Sequence, residues 1–300
     1  TSLMDFAVDP TTGTFIGTIL GMSDGSGAVT VQGAAADTLT VETQVEAITE
    51  LKALVNIKGF CFIDAAIDAD RKLLAEWAQA NSTLGYDVFS TAANLDIDPT
   101  NIVWDRLAAT YMARAHVVNF AAEKSALTMH LKALSVTAED YSQSDITAAK
   151  AVGLDIYTTI KNTPVILTSG ANDFMDNRYN IIAFIDAVQT DMFNLLKQPS
   201  TKIPQTKRGV NQMIDQGEKT SRGFVRAGVF APGTWSSPDF FGDLETFNRN
   251  ISENGFYWLA GALADQSQAD RQARKSPVLQ AAVKNAGAIH SVDIIINFNI

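Results

Sequence analysis

The chain has 300 residues, a hydrophobic fraction of 46% and a charged fraction of 19%, which are the proportions of an ordinary globular protein. A chain of this length can bury about three quarters of the surface of its unfolded form, and one or two domains are expected. The formal net charge of −10 argues against nucleic acid as the main partner, because a phosphate-binding surface needs a dominant basic field.

The single cysteine, Cys61, lies within the apolar run GFCFI. We therefore expect a buried thiol, no internal disulfide and a reducing compartment. The longest uninterrupted apolar runs are far shorter than the ~20 residues that a membrane helix needs, and the N-terminus shows no signal-like core. The sequence predicts no membrane span and no ordinary export signal.

The first half of the chain alternates between helical and strand patterns. Apolar residues at helical spacing run through LTVETQVEAITELKALVNI, and the strand GFCFID, the helix ADRKLLAEWAQAN and the strand YDVFST follow. Strands joined in this way are parallel and covered by helices, so this βαβ unit predicts an α/β layer. Two more strands, DIYTTI and TPVILTSG, are predicted around a turn at Pro164.

After residue 170 the pattern changes to two long amphipathic helices. The first, NRYNIIAFIDAVQTDMFNLLKQ, is expected to bury a stripe made of Ile181, Ile185, Val188, Met192 and Leu195. The second, QTKRGVNQMIDQGEKTSRGFVRAGV, is expected to bury Val210, Met213, Ile214, Gly217 and Val225. We predict two domains, 1–170 and 171–300, and a fold class that is α/β in the first domain and α+β overall.

Aspartates follow both strands of the predicted βαβ unit, in the stretches DAAIDAD and ANLDIDP. They are Asp64, Asp68, Asp70, Asp96 and Asp98. Ligands bind at the carboxyl ends of parallel strands, and clustered carboxylates can hold Mg²⁺ or Ca²⁺. The interpretation we favour is that Asp68 or Asp70 caps the following helix and that the others are solvated.

Other motifs for chemistry are absent. The three histidines, His116, His130 and His290, are far apart in sequence, and none has a second ligand at the spacing of a zinc site. The glycine cluster GMSDGSGAV lacks the ending of a phosphate loop, and there is no G-x-S-x-G motif. We therefore predict no catalytic residues, no cofactor and no metal, and a protein that is not an enzyme.

The sequence stops in an alternating run, HSVDIIINFNI. One face of this strand consists of Val292, Ile294, Ile296, Phe298 and Ile300. An unpaired strand invites another chain, and Gly287 just before it could serve as a hinge because glycine tolerates unusual dihedrals. On the residues alone, an internal hairpin between 278–286 and 290–299 is favoured over a strand donated to a neighbour.

Basic residues gather in the last third of the chain. Lys207 and Arg208 fall at the predicted start of a helix, where the macrodipole disfavours cations by roughly a few tenths of a kcal/mol. Arg271, Arg274 and Lys275 precede the terminal strand. They are interpreted either as a solvated polar face or as contacts to acidic groups of another protein.

Several blocks of the sequence resemble one family. They are LADQSQADRQARKSPVLQAAVKNAGAIHSVDIIINFNI, STKIPQTKRGVNQ, VRAGVFAPGTW, GAVTVQGAAADTL and MARAHVVNFA. In this order they resemble the contractile-tail sheath proteins of bacteriophages, many of which are catalogued only as a domain of unknown function. The resemblance runs from about Gly21 to the C-terminus. By this resemblance, the N-terminal region that carries a second linking arm in the family is expected to be short or absent here.

The resemblance implies a structural subunit that polymerises helically around a tail tube and contracts to drive tube penetration and genome delivery. The implied partners are copies of itself, the tail tube protein, and baseplate and tail terminator proteins, with no direct nucleic acid. The implied location is the virion tail, assembled in the host bacterial cytoplasm. In this family the C-terminal domain lies next to the tube, the preceding domain faces outward, and a C-terminal linking arm, here about 287–300, completes a neighbour's sheet. The resemblance therefore reverses the preference for an internal hairpin and places the basic residues against the tube or an adjacent subunit.

Two other hypotheses stay open. One is a metal-dependent α/β enzyme that uses the loops of Asp64, Asp68 and Asp96, and the other is a virion adhesion or decoration module. Metal-dependent thermal stability would favour the enzyme, whereas tubes or sleeves in electron micrographs would favour the sheath.

Overall fold

The computed structural model describes residues 7–8, 15–16, 43–61, 68–81, 83–86, 103–170, 173–198 and 202–293. The chain divides into two compact units, Thr1–Asp87 and Val88–Ile300. The elements of the first unit are β1 (Ala7–Val8), β2 (Phe15–Ile16), α1 (Gln44–Leu54), β3 (Gly59–Cys61), α2 (Asp68–Ala80) and β4 (Leu84–Tyr86).

The second unit contains most of the described chain. Its helices are α3 (Val103–Ala115), α4 (Gln143–Ala151), α5 (Met175–Lys197), α6 (Lys207–Ala227), α7 (Leu244–Asn254) and α8 (Gln268–Gln272). Its strands are β5 (Ile156–Ile160), β6 (Thr163–Leu167), β7 (Phe256–Ala260) and β8 (Leu279–Val283). This mixture of helices and small sheets confirms the predicted fold class, α/β and α+β overall. The domain boundary predicted near residue 170 falls inside the second unit and stays a prediction.

The first unit contains the predicted βαβ arrangement. Strands β3 and β4 pair in parallel, with Gly59 opposite Leu84, and α2 connects them. Helix α1 begins with a capping box between Thr43 and Glu46, which satisfies backbone donors of its first turn. The small core of the unit consists of Ile48, Phe60, Leu74 and Ala78. The Cys61 thiol is only partly buried, and burial raises its pKa.

Strands β5 and β6 form an antiparallel hairpin, and its turn is not at the predicted proline. The turn residues are Lys161 and Asn162, whose φ angles of 48° and 62° match the tight turns that fit the twist of a hairpin. Pro164 lies inside β6 opposite Thr159. The predicted turn at Pro164 is therefore wrong, because proline is tolerated where its missing N–H faces away from the ladder.

The two long helices are confirmed, but the predicted buried stripe of α5 is partly wrong. Ile181 and Ile185 are 38% and 44% exposed. The helix instead points Phe184 inward, where the ring packs edge-on against Phe224 and Phe230. A phenylalanine removes more apolar area from water than an isoleucine, so the aromatic position decides which face of the helix is buried.

Helix α6 packs on β7 through a glycine. A Cβ on Gly217 would lie 2.8 Å from the indole of Trp258, so only glycine allows this close approach. The Nε1–H of Trp258 donates to Ser221 Oγ at 2.9 Å, and Ser221 Oγ donates to the Gly217 carbonyl. The buried polar groups between helix and sheet are therefore paired.

The segment before β5 shares the core of α6. The N–H groups of Lys124 and Ala126 donate to the carbonyls of Arg226 and Ala227, both at 2.9 Å. Phe120 stacks on Phe224 with 5.2 Å between ring centroids. Residues on both sides of position 170 therefore contribute to one hydrophobic core in the second unit.

Candidate functional site

In the two-stranded sheet of β7 and β8, each strand has backbone groups that point away from its partner, toward the outer edge of the sheet. The strands are antiparallel, with Trp258 opposite Ala281. Hydrogen bonds from Lys284 N–H to the Gly255 carbonyl and from Gly261 N–H to the Val278 carbonyl fix the register. In this register the N–H and C=O groups of alternate residues of β8 point outward; these residues are Leu279, Ala281 and Val283. Among the described residues no third strand pairs with either edge.

The chain leaves β8 through a segment that we call the arm root, residues 284–293. It begins with backbone hydrogen bonds from Ala231 N–H to the Lys284 carbonyl and from Ala286 N–H to the Val229 carbonyl. Gly287 follows with a φ of +66°, the left-handed conformation that favours glycine. A Cβ at Gly287 would meet nothing within 4 Å, so conformation rather than crowding accounts for glycine here.

The terminal strand predicted from the sequence lies mostly outside the described residues. Of its predicted face only Val292 is described; it is 74% exposed and belongs to neither helix nor strand. Ile294, Ile296, Phe298 and Ile300 lie beyond the described part of the chain. Strand β8 pairs with β7. The hairpin between 278–286 and 290–299 that the residues alone favoured stays a prediction, because most of 290–299 lies outside the described residues.

The arm root is attached at His290, which is partly buried although Ile289 and Val292 are exposed. Its ring stacks on His130, with centroids 4.4 Å apart and an interplanar angle of 16°. Its Nε2 lies 2.9 Å from Thr128 Oγ1, and Phe174 meets it edge-on at 4.6 Å. The sequence pattern did not predict the contact between His130 and His290, because 160 positions separate the two residues and neither lies in a recognisable motif.

Gly170 makes room for the ring of Phe174 in the cluster formed by His290, His130, Thr128 and Phe174. It has a φ of +66°, and a Cβ on it would lie 2.4 Å from Phe174 Cζ. Burial raises the pKa of the nearby Asp176 carboxyl, whereas His290 acts in the opposite direction on that pKa. A partly buried carboxyl with a raised pKa therefore interacts electrostatically with a histidine that can carry a positive charge.

The structure brings the two basic groups of the last third together. Lys207 and Arg208 are the first two residues of α6, as predicted, and both are exposed. Two positions earlier, the side-chain amide of Gln205 donates to the Lys275 carbonyl at 2.9 Å. The start of α6 therefore lies beside the loop after α8, which carries Arg274 and Lys275, and Arg271 is in α8 itself.

Arg271, Arg274 and Lys275 differ in their contacts. The guanidinium of Arg271 donates to the carbonyls of Leu263 and Ala264, and Lys275 pairs with Asp270 at 3.0 Å. Arg274 has a φ of +56°, is exposed, and has no ion pair within the described ranges. Of the five basic residues in these two groups, Lys207, Arg208 and Arg274 are therefore the ones best placed to meet another protein.

The acidic residues considered as a metal site are only partly described. Asp68 and Asp70 are the first and third residues of α2, whereas Asp64, Asp96 and Asp98 lie outside the described residues. Across the described residues, no group of three or more His, Cys, Asp or Glu side chains is arranged to hold a metal ion. In the same part of the chain, no helix combines the length and apolarity that crossing a membrane requires.

A known protein family matches the region that contains the β7–β8 sheet, the arm root and the basic residues. Residues 175–298 match the family model described as "E217 tail sheath protein gp31-like, C-terminal domain". The C-terminal region is therefore similar to the C-terminal domain of a phage tail sheath protein. The match begins at the first residue of α5 and takes in α6, α7, the β7–β8 sheet and the arm root. No curated protein matches the chain.

The match confirms the resemblance to tail sheath proteins, and it covers the blocks after residue 175 but not GAVTVQGAAADTL or MARAHVVNFA. Tail sheath proteins are structural components of the bacteriophage virion, and the family is not enzymatic. The exposed features of this region therefore lie in a domain that is similar to those of structural virion proteins.

Proposed function

We propose that the chain is a subunit of a contractile tail sheath, which polymerises helically around a tail tube and contracts to drive tube penetration and genome delivery. The observation that carries the proposal is the match of residues 175–298 to a tail sheath C-terminal domain. Its partners are then copies of itself, the tube protein, and baseplate and terminator proteins, in a virion tail assembled in the host cytoplasm. The role is structural, without turnover.

The β7–β8 sheet supports a mechanism for joining subunits. Its outward-pointing backbone groups on β8 are suited to accept an added strand, and the alternating residues of the C-terminal arm (287–300) are suited to supply one. Main-chain hydrogen bonds would provide affinity, and the apolar face of the arm would fix the register. Rotation at Gly287 would let subunits move as rigid bodies while the added strand stays paired.

Deletion of residues 291–300 tests this proposal and leaves His290 in place. We expect a folded protein with an unchanged circular dichroism spectrum and melting temperature that forms no sleeves in negative-stain micrographs. A truncated protein that unfolds or aggregates would show that the strand belongs to its own subunit.

A matched pair of variants separates strand register from added charge. Ile294→Asp with Ile296→Asp puts two carboxylates on the apolar face of the arm and should abolish sleeves. Asn297→Asp with Asn299→Asp adds the same charge to the opposite face and should leave sleeves largely intact. Normal assembly of the first variant would contradict the donated strand.

The enzyme alternative can be tested on the full chain. We expect that titration with Mg²⁺ or Ca²⁺ leaves the melting temperature unchanged, because a ligand that binds only the folded state would raise it. A saturable stabilisation that disappears in Asp64→Ala would instead reveal a metal site on the acidic loops.

A further inference from the structure

His290 fixes the arm root to the body of the second unit, and the strand-exchange mechanism does not account for that contact. The residues on either side of it are exposed, so the histidine is the point at which this stretch is held. It is held by a second histidine, and imidazole is the side chain whose ordinary charge change falls nearest to neutral pH. The contact therefore depends on the protonation of two stacked rings.

We propose that the His130–His290 stack is an acid-sensitive latch on the C-terminal arm. The latch holds the arm root against the second unit when the rings are neutral and releases it when both are protonated. Release would free the residues beyond 290 to reach a neighbour. That consequence rests on the proposed sheath function, whereas the latch itself is a property of the single subunit.

The hydrogen bonds of His130 define its neutral form. Its Nδ1 accepts from the Thr168 backbone N–H at 3.3 Å and lies 3.0 Å from Thr168 Oγ1. The proton of the neutral ring is therefore on Nε2. Protonation would place a hydrogen on Nδ1 opposite the Thr168 N–H, so two donors would face each other.

The charged groups around the pair come from several elements. They are Lys150 at the end of α4, Asp155 before β5, and Asp173 and Asp176 at the start of α5. On the arm root itself the charged residues are Lys284 and Asp293. The Asp155 carboxylate already accepts from Tyr111 and Ser169, and Asp173 pairs with Arg178 at 3.1 Å.

The Asp176 carboxyl is the group left to compensate a charge on His290. Because it interacts electrostatically with His290, one protonated ring can be accommodated in the cluster. A second positive charge would stand 4.4 Å from the first, between ring centroids. Of the other carboxylates, Asp155 and Asp173 already have partners, and Asp293 is an exposed residue of the arm root itself. Protonation of the second ring is therefore the step that opens the latch.

The direction of the pH effect follows from His130. Burial lowers the pKa of His130, and the charges of His290 and Lys150 lower it further. Two smaller effects raise this pKa: a hydrogen bond between His130 and the His290 backbone, and the charge of Asp155. The latched state then binds fewer protons than the released state. The latch is fully stable above the free histidine pKa of about 6.5 and weakens as the pH falls below it.

A spin label on the full-length chain measures the release directly. The exposed Val292 is replaced in Val292→Cys, in a Cys61→Ser background, and carries a nitroxide. We expect an immobile spectrum at pH 8 and a growing mobile component towards pH 5.5. One pKa unit between latched and released states corresponds to an about tenfold change in the ratio of the two components.

Three variants make the test specific. His290→Phe keeps an aromatic ring but cannot be charged, so the label should stay immobile at every pH, whereas His130→Ala should leave it mobile at every pH. His116→Phe keeps a ring against Tyr179 outside the cluster and should respond like the unmodified protein. Two results would contradict the latch: a pH response that persists in His290→Phe, or a label that is equally mobile at pH 8 and 5.5 in the unmodified protein. Loss of the near-ultraviolet circular dichroism signal over the same pH range would also contradict it, because the whole fold would then be opening. These measurements are made on the single subunit and do not involve assembly. A negative result would therefore contradict the latch without contradicting the sheath proposal.

Discussion

The β7–β8 sheet and the arm root that follows it are adjacent in sequence but are held in different ways. Against the sheet, Phe247 and Ile251 of α7 are completely buried, and Trp258 packs on the backbone of α6 at Gly217. In the arm root, Ile289 and Val292 are 87% and 74% exposed. The sheet is stabilised by apolar burial, whereas the arm root depends on a few polar and ring contacts.

This difference bears on the proposed donation of the arm to a neighbour, which requires a stable domain with a terminal segment that can detach. Segments with few buried contacts open at a lower free energy than the core does. The arm root can therefore detach while the sheet beside it stays folded. Substitutions in the sheet should affect stability, and substitutions in the arm root and at the basic surface should affect assembly.

The largest effect is expected from removal of Trp258. Trp258→Ala empties the space beside Gly217 and removes the donor to Ser221 Oγ, so it should lower the free energy of unfolding by about 3–5 kcal/mol. Urea unfolding followed by far-ultraviolet circular dichroism measures the change. Val278→Ala is the control, because Val278 is 75% exposed and its truncation should cost less than about 0.5 kcal/mol. A cost below about 1 kcal/mol for Trp258→Ala would mean that this contact is not part of the core.

Two glycines with similar backbone angles give a sharper comparison. Gly255 and Gly287 have φ angles of 79° and 66°. A Cβ on Gly255 would lie 2.7 Å from the carbonyl carbon of Ala231, but on Gly287 it would meet nothing within 4 Å. Gly287→Ala should therefore cost only the left-handed conformation, about 1 kcal/mol, and Gly255→Ala clearly more. Equal losses in urea unfolding would show that the two regions are packed alike.

The elements that could be predicted from the sequence are those with a strong local period. The parallel βαβ unit and the helices α5 and α6 follow from helical spacing and from apolar runs, because these patterns reflect one buried face. The position of Gly217 inside the core also follows from its place on the apolar stripe of α6. Local pattern and tertiary packing agree at these places.

The features that were missed depend on distant residues. The inward face of α5 is decided by Phe184, whose ring needs partners about 40 residues away, and spacing alone favoured Ile181 and Ile185. The His130–His290 stack and the junction of the two basic groups at Gln205 are long-range contacts. A single sequence contains no local signal for such contacts, although the sequence did identify the basic residues themselves.

A smaller and pH-dependent effect is expected at the start of α7. Asp243 Oδ2 accepts from the Thr246 N–H at 2.8 Å, and the hydrogen bonds to Thr246 lower the Asp243 pKa. A carboxyl with a lowered pKa stabilises the fold above its unfolded pKa of about 3.9, and this contribution is lost as the pH falls through the folded value. Asp243→Ala should lower the melting temperature at pH 7, and the difference from the unmodified protein should shrink towards pH 3.5.

The exposed Asp239 provides the matched control for this cap. Its backbone carbonyl, not its side chain, accepts from Trp235 Nε1, so Asp239→Ala should leave the melting temperature nearly unchanged at both pH values. A difference for Asp243→Ala that stays constant with pH would mean that the carboxylate charge does not contribute to the cap.

The smallest effect on stability is expected at the basic surface formed by the start of α6 and the loop after α8. We expect that Arg208→Glu with Arg274→Glu leaves the melting temperature within about 1 °C, because exposed charges contribute little to folding. Arg271 is not suited to this test, since its guanidinium binds the Leu263 and Ala264 carbonyls and its replacement would disturb the loop. The matched control reverses two exposed lysines elsewhere, Lys161→Glu with Lys219→Glu, and changes the net charge equally.

These two variants separate a local contact from a general effect of net charge. If Arg208 and Arg274 meet acidic groups on the tube or an adjacent subunit, their reversal should prevent sleeves from forming on purified tubes at low salt, whereas the lysine control should assemble normally. Added salt weakens attraction between exposed charges, so assembly of the unmodified protein should also decline as salt rises from low to physiological concentration. Equal assembly of the two variants at low salt would mean that this surface is only a solvated face. Equal loss in both would mean that the net charge of the subunit, and not the position of Arg274 beside the start of α6, limits assembly.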